Sequence, residues 1–319
     1  MRLTALATAA AAVLALAAPA LAERLTDQPL VDSAWLQSHL GNESLVILDV
    51  RDAVEKAFAY DTAHIPGAIK APYSTSGWRE ELQGVPGQFP GVEKAAALVG
   101  SFGVDNDEHV VIVPNGTDSS EFGAATRIYW TFKVLGHDAV SILDGGARAW
   151  EAAGGPLTAE ATLPEVTTFT ASFRNELLAT TEDVQQALAD GTPLIDGRPA
   201  AQFHGEAKSP VVATAGTLPG ALNLENGKLY DAEAAKFADR TEVAALAFDV
   251  GLYTTEQASL AATGASGEGK PAIAFCNTGH WASIIWFGLS EVGGNHNVTM
   301  YDGSMAEWTA DPSRPVQVQ

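Results

Sequence analysis

The sequence has very little thiol and very little positive charge. Cys276 is the only cysteine among 319 residues, so no disulfide can form within the chain. No CxxC or HExxH motif occurs, and His, Asp and Glu are not clustered at the spacings typical of metal ligands. The chain has 18 Lys and Arg against 39 Asp and Glu, a formal net charge of −21. This acidity argues against a nucleic-acid partner or an anionic membrane surface.

Long apolar runs are absent beyond the first 22 residues, so no later segment approaches the roughly 20 apolar residues that span a membrane. The first 22 residues have the pattern of a secretory signal: Arg2 is positive, Ala5 to Ala18 are mostly apolar, and Ala20-Leu21-Ala22 is an A-x-A cleavage site. We expect residues 1–22 to be removed and the remaining chain to be periplasmic or secreted, without membrane contact after cleavage. Its length suits two domains.

The stretch around Cys276 has the pattern of a strand, a turn and a helix. Ala272 to Phe275 are apolar and suit a strand buried in a parallel sheet, Asn277-Thr278-Gly279 suits a turn, and a buried helix is expected from about Trp281. The thiol would then face the first amides of a helix, which favour an anion and therefore the nucleophilic thiolate. The alternative is that Cys276 is only a small buried core residue, as free cysteines often are.

Four sequence blocks occur twice in the same order, which indicates a tandem duplication. The matched pairs are Leu48-Asp49-Val50-Arg51 with Ile195-Asp196-Gly197-Arg198, 64–68 with 217–221, 112–115 with 273–277, and Asp144 through Trp150 with Asp302 through Trp308. We expect an N-terminal domain over residues 23–155, a polar linker over 156–175 and a C-terminal domain over 176–319.

Strands that alternate with helices predict, in each half, a mostly parallel sheet with helices on both faces. Ligands of such sheets bind beyond the carboxyl ends of the strands. Cys276, Asp196 and Asp302 are all expected at such ends. The counterpart of Cys276 in the first half is Pro114 or Asn115, so we expect that half to be inactive and to shape the substrate site.

The order D-x-R, [H/T]-[I/L]-P-G-A, strand-Cys-loop-helix and D-G-[G/S]-x-x-x-W resembles that of the rhodaneses. A cysteine in the second half alone is similar to the tandem-domain sulfurtransferases, and the Cys276 loop resembles that of exported bacterial members. The resemblance implies two tandem rhodanese-like domains. It also implies that Cys276 accepts a sulfane sulfur as a persulfide and passes it to a thiophilic acceptor such as cyanide or a thiol. No metal or organic cofactor is implied.

The resemblance also assigns roles around Cys276. Arg198 falls where the family places an arginine that binds the sulfur donor, although an ion pair with Asp196 is the alternative. Asp196 and Asp302 are expected to support the site by hydrogen bonds. The residues expected to surround the substrate are those of the loop, Asn277, Thr278, Gly279, His280 and Trp281.

The sequence departs from the family at positions that bear on the sulfur donor. Relatives specific for thiosulfate carry a cation two residues after the cysteine, where this chain has Thr278, and His280 could partly replace it. Relatives specific for 3-mercaptopyruvate carry a Ser-Gly loop and a second arginine, which is matched here by about Gln202. Thiosulfate and 3-mercaptopyruvate therefore both remain possible sulfur donors. A persulfide carrier without turnover remains an alternative function. A related phosphatase would need an arginine at Ala282.

Overall fold

A computed structural model of the chain describes residues 24–52, 59–264 and 269–318, so the expected signal peptide lies outside the described residues. In the first half the elements, in chain order, are β1 (Leu30–Val31), α1 (Ser33–His39), β2 (Leu45–Asp49), β3 (Ile69–Lys70), β4 (Glu80–Leu82), β5 (Val85–Gln88), α2 (Val92–Ser101), β6 (His109–Val113), α3 (Ser119–Val134), β7 (Val140–Leu143) and α4 (Gly146–Ala152).

The second half repeats the order of strands, hairpin included, and has two further helices, α6 and α8. Its elements are β8 (Leu178–Ala179), α5 (Thr181–Asp190), β9 (Leu194–Asp196), α6 (Ala200–Phe203), β10 (Leu222–Asn223), β11 (Tyr230–Asp231), β12 (Lys236–Phe237), α7 (Arg240–Asp249), α8 (Thr255–Thr263), β13 (Ala272–Phe275), α9 (His280–Trp286), β14 (Val298–Tyr301) and α10 (Ser304–Trp308). Short 3-10 turns occupy Asn175–Leu177 and Asn226–Leu229, and α9 continues as a π-helical turn over Phe287–Val292.

The two main sheets confirm the predicted fold. Each has five strands, all parallel, in the orders β1-β7-β6-β2-β3 and β8-β14-β13-β9-β10. The second order is the first one with each strand replaced by its counterpart, which is the topology that a duplicated unit must give. Two small antiparallel hairpins, β4–β5 and β11–β12, lie outside the main sheets.

The central strands are buried on both sides, which explains why they are continuous apolar runs. In β6, Val110 and Ile112 face one apolar cluster, while Val111 and Val113 face another. Successive side chains of a strand point to opposite faces, so such a strand needs apolar residues at every position.

The ends of helix α5 are set by local sequence. Thr180 and Asp183 form a capping box at its start, and Gly191 ends it with φ 79°.

One apolar core is shared by the two halves. It contains residues of both sheets together with the buried faces of α3 and α9, whereas smaller clusters cover the outer face of each sheet. Gly123 lets α3 and α9 approach each other, because a Cβ atom there would lie 3.0 Å from both His280 Nε2 and Ile284 Cδ1. The halves are therefore packed against each other along these two helices.

The segment expected to link the halves lies along the first one. His64 and Thr158 form an antiparallel bridge, Ile69 and Thr162 form a parallel one, and Thr167 N donates to Gly100 O at 2.9 Å. These contacts extend the first half by an irregular edge. Of the helices in the described residues, none combines the length and the apolar character that crossing a bilayer requires.

Candidate active site

Cys276 directly follows β13, where the sequence places it, and lies at the carboxyl end of the second sheet. Its side chain is 1% exposed and belongs to the shared core together with Ala272 and Ala274, whereas Ile273 and Phe275 face the outer cluster. The alternation along the strand therefore points the thiol towards the first half of the protein. Cys276 is a free thiol.

Ser304, which the sequence analysis did not single out, supports the Cys276 loop. Its Oγ accepts hydrogen bonds from Cys276 N at 3.0 Å and Gly279 N at 3.1 Å, and donates one to Tyr301 O at 2.8 Å. Ser304 has φ 51°, in the left-handed region that disfavours a residue with a side chain. Its counterpart in the first half, Gly146, has φ 59°. A serine where the first copy of the repeat has a glycine is the signal in the duplicated sequence that could have identified this position.

The loop amides between the two that Ser304 binds remain available. The N–H groups of Asn277 and Thr278 make no hydrogen bond to any residue in the part of the chain that the structure describes. The first N–H groups of α9 lack intrahelical partners, as at every helix start. Asn277 is itself oriented by a 2.9 Å hydrogen bond from its Nδ2 to Gln202 Oε1. The loop can therefore offer several N–H donors to an anion.

His280 is held between two residues of the first half. Its Nε2 lies 2.8 Å from Ser120 O, which can only accept, so Nε2 carries the proton and Nδ1 accepts from Tyr73 Oη at 2.9 Å. Burial, with a further contribution from the Arg79 cation, lowers the pKa of His280 to about 3. Burial raises the pKa of Tyr73 to about 12, so Tyr73 keeps its proton. His280 is thus a neutral bridge between the halves.

Trp281 and Asp302 also contact the first half. Trp281 Nε1 donates to Ser120 Oγ at 3.0 Å. Asp302 Oδ2 accepts from Phe89 N, directly after β5, at 2.6 Å, and Oδ1 forms a 2.5 Å ion pair with Arg127 of α3. The side-chain contacts of Asp302 thus join the second half to the first, and its support of the Cys276 site stays a prediction.

Arg198 has a different environment from the one that the resemblance implied. Arg198 is 0% exposed, and its guanidinium donates to Asp196 from Nε at 2.9 and 3.1 Å and from Nη2 at 2.6 Å. Nη2 also donates to Gly216 O at 2.8 Å, while Nη1 has no hydrogen-bond partner within the described residues. In the first half Arg51 makes the same set of bonds, to Asp49 and to Ala63 O. Arginine pairs readily with a carboxylate in this two-pronged way. The geometry favours the ion pair with Asp196, which is the alternative that the sequence analysis left open beside sulfur-donor binding.

The counterpart of the Cys276 loop in the first half is filled by a side chain. Glu121, in the first turn of α3, accepts from Asn115 N at 2.6 Å with one carboxyl oxygen and from Gly116 N at 2.7 Å with the other. Burial raises the pKa of Glu121 to about 7, although the amide hydrogen bonds act in the opposite direction. The amides that in a loop of this kind could bind an external anion are therefore already occupied.

Metal ligation finds no support in residues 24–52, 59–264 and 269–318, where no group of three or more His, Cys, Asp or Glu side chains could hold an ion. The chemistry that this arrangement supports is that of a thiol nucleophile next to free backbone N–H groups. Those groups would stabilise an anionic substrate, an anionic leaving group and a charged sulfur intermediate.

The model of the Rhodanese-like domain family matches the chain twice, over residues 32–153 and 180–311. The chain belongs to the rhodanese-like family. The two matched segments contain the two five-stranded sheets, so the family match and the duplicated topology agree. Only the second of them contains a cysteine.

Relatives of known name cover almost the whole rhodanese-like chain. Two are named "Putative thiosulfate sulfurtransferase": the one from Mycobacterium tuberculosis H37Rv is 31% identical over 91% of this chain and 97% of its own, and the one from Haloferax volcanii is 32% identical over 90% and 96%. Among solved structures, the 3-mercaptopyruvate sulfotransferase SseA from Escherichia coli is 25% identical with a TM-score of 0.67, covering 87% of this chain and 98% of that one. An anaerobic ergothioneine biosynthesis enzyme from Chlorobium limicola, 21% identical with a TM-score of 0.71 over 91% and 70% of the chains, shares the fold.

Proposed function

We propose that this protein is a thiosulfate sulfurtransferase that carries the transferred sulfur as a persulfide on Cys276. The observation that supports this most directly is the contrast between the two loops. In the second half the only thiol of the chain lies beside loop amides that have no partner within the described part of the chain, whereas in the first half Glu121 occupies the equivalent amides. The names of the curated relatives suggest thiosulfate as the sulfur donor.

The first half-reaction forms one S–S bond and breaks another. The Cys276 thiolate attacks the outer sulfur of thiosulfate, the S–S bond of thiosulfate breaks, and sulfite leaves with the bonding electron pair. The charge on the reacting groups is unchanged, since a thiolate and a dianion give a persulfide anion and sulfite. The loop amides would stabilise the negative charge on both products without a proton transfer.

The second half-reaction returns the enzyme to its starting state. Cyanide or a thiolate attacks the terminal sulfur of the persulfide, that sulfur leaves as thiocyanate or as a new persulfide, and the Cys276 thiolate is released. His280 does not move a proton in either half-reaction, because its imidazole is neutral and both of its nitrogens are engaged.

Two other functions have some support. The Escherichia coli neighbour suggests 3-mercaptopyruvate as the sulfur donor. Thr278, in place of a loop cation, suggests a persulfide carrier with slow turnover. The three possibilities differ in what they do after incubation with each sulfur donor. A carrier would form a persulfide but would not convert added cyanide to thiocyanate. The two enzymes would make thiocyanate but would prefer different sulfur donors.

The test is intact-mass measurement combined with thiocyanate release. After incubation with thiosulfate the protein should gain the mass of one sulfur atom, and addition of cyanide should remove it as thiocyanate. The Cys276→Ser variant should do neither. A serine variant that still releases thiocyanate would refute the covalent mechanism. Faster loading from 3-mercaptopyruvate than from thiosulfate would reassign the sulfur donor.

We also propose that the protein is exported after removal of residues 1–22. The support is the sequence alone, with a single positive residue, an alanine-rich run and the Ala20-Leu21-Ala22 site. N-terminal sequencing of the protein produced in a bacterial host should give Glu23 as the first residue of a periplasmic or secreted form. Retention of the full chain in the cytosol would contradict this.

A further inference from the structure

Binding of an anionic sulfur donor by this chain raises an electrostatic problem. The chain has a net charge of −21, and the loop that contains Cys276 has Thr278 where a cation would help. His280 cannot supply the charge, because the pKa of its buried imidazole is about 3. Long-range repulsion is screened over roughly 8–10 Å at ordinary ionic strength, so one cation close to the loop would suffice.

Arg79, directly before β4 of the first half, lies next to this loop. A Cβ atom built on Gly87 in β5 would be 3.0 Å from Arg79 Nη1 and 3.3 Å from Thr278 Cβ, so the guanidinium and Thr278 border the same small space. The guanidinium also lies over the Tyr73 ring, 4.8 Å from its centroid. Tyr73 in turn binds His280 and lies within the electrostatic influence of Cys276.

The guanidinium of Arg79 has hydrogen-bonding capacity to spare. Within the described part of the chain it forms no ion pair and donates no hydrogen bond, and the residue is half-buried. The Arg79 side chain is nevertheless positioned, because stacking on the Tyr73 ring restricts the orientation of the guanidinium plane. An arginine that is oriented, partly desolvated and without a partner is suited to bind an anion through two N–H groups.

Arg127 is a second cation near the loop, and its charge is balanced by Asp302, although its Nε and Nη1 have no hydrogen-bond partner within the described residues. It is 0% exposed and paired with Asp302, which itself binds Phe89 N. The pair adds little net charge to the site and holds α3 to the second half. The two arginines therefore differ in role, although both come from the first half.

We propose that Arg79 of the first half is the cationic residue that binds the anionic sulfur donor beside Cys276. This rests on the proposed sulfurtransferase function. A cation supplied across the domain boundary takes the place of one within the loop, and the short side chain of Thr278 leaves room for it. The first half, without a nucleophile of its own, then contributes directly to recognition of the sulfur donor.

The test is calorimetric titration of thiosulfate into Cys276→Ala, which binds the anion without turning it over. Adding Arg79→Gln should raise the Kd by tenfold or more, the loss expected for a charge-assisted pair. Arg79→Lys, which keeps the charge and the stem but not the fork, should give an intermediate Kd. The matched control is Arg148→Gln, which removes the same charge from an exposed arginine that donates to Ala232 O of the second half. The control should change the Kd less than twofold.

Outcomes that would overturn the proposal are distinct from failure of the proposed function. An unchanged Kd in Arg79→Gln, with the melting temperature of the parent, refutes the role of Arg79. So does a parent Cys276→Ala protein that binds no thiosulfate. If the binding depends on Arg79 but wild-type Cys276 gains no sulfur from thiosulfate, the role of Arg79 in anion binding stands and the sulfurtransferase proposal fails. If Arg79→Gln is destabilised, the Kd of thiosulfate for Arg79→Lys is the deciding measurement.

Discussion

Tyr73 Oη donates a 2.9 Å hydrogen bond to His280 Nδ1, so a residue of the first half fixes the tautomer of a residue four positions after Cys276. With Ser120 O accepting from the other nitrogen, both ring nitrogens have hydrogen-bond partners, and burial of the ring lowers its pKa to about 3, which keeps it neutral. The interface between the halves therefore determines the charge of the active loop. This arrangement has consequences that can be measured.

Affinity for thiosulfate should not change between pH 6 and 8. The pKa of His280 is lowered to about 3, so the imidazole is neutral over that whole range, and the amides and Arg79 do not titrate there. The measurement is the Kd of thiosulfate for Cys276→Ala across this range. A tenfold weakening towards pH 8 that disappears in His280→Asn would show that His280 is a cation in the protein.

The same histidine should lower stability in acid. Because the folded pKa of about 3 lies below the unfolded value of about 6.5, the unfolded state binds the extra proton first, and stability falls as the pH drops below about 6.5. His280→Asn should therefore lose less stability than the wild type between pH 6.5 and 4, measured by urea unfolding. Equal slopes for the two proteins would contradict the lowered pKa.

Two substitutions of Ser304 should distinguish its effect on the geometry of the Cys276 loop from its effect on stability. Ser304→Gly removes the hydroxyl but relieves a left-handed residue, which costs roughly 1–2 kcal/mol, so its unfolding free energy should stay within about 1 kcal/mol of the wild type. Ser304→Ala keeps the strain and loses the same hydrogen bonds, so it should be less stable by about 1–3 kcal/mol. Both variants should lose at least tenfold in kcat/KM for thiosulfate, because the loop amides lose their support. Full activity in Ser304→Gly would show that the hydroxyl is dispensable.

Arg198 and Arg51 should behave alike. Each is a buried partner of an aspartate at the end of a strand, and loss of one partner from a buried ion pair typically costs about 3–5 kcal/mol. Arg198→Ala and Arg51→Ala should therefore both lower the unfolding free energy strongly, while the KM for thiosulfate of the protein that remains folded changes less than twofold. A raised KM with an unchanged melting temperature in Arg198→Ala alone would restore its role in sulfur-donor binding.

The sequence predicts the parts of this protein that depend on local pattern. The duplication, the parallel sheet in each half and the position of Cys276 after a strand follow from matched blocks and apolar runs, since each block is one strand or turn of a repeated unit. Arg198 was ambiguous because an arginine after a strand suits both an ion pair and a ligand. Its counterpart Arg51, in a half without a cysteine, was the clue that favoured the ion pair.

The residues that the sequence analysis missed act across the domain boundary. Tyr73 binds His280 and Arg79 borders the same small space as Thr278, yet both are about 200 positions away in the chain, and no local spacing connects them to the loop. Ser304 depends on a backbone angle that sequence alone does not give, although alignment with Gly146 would have indicated it. Residues of a site formed by two domains can be identified only when the packing of those domains is known.

Glu121 should give stability a dependence on pH near neutrality. Its pKa in the folded protein, about 7, exceeds the ordinary value of 4.5, so the folded state binds the proton more tightly and stability falls as the pH rises from about 4.5 to 7. Glu121→Gln stays neutral, so the stability of the wild type relative to this variant should decline over that range by on the order of 3 kcal/mol. Parallel stability curves for the two proteins would contradict the raised pKa.

The carboxyl group of Glu121 is an intramolecular ligand of the loop amides in the first half. Because it is tethered, it competes for the amides of Asn115 and Gly116 at an effective concentration of at least the millimolar order, which small anions in solution rarely match. The two loops descend from one repeated unit, yet of the two it is the Cys276 loop whose Asn277 and Thr278 amides have no partner among the described residues. A saturating titration should accordingly find a stoichiometry of one thiosulfate per chain, and the duplication has doubled the fold without doubling the number of sites.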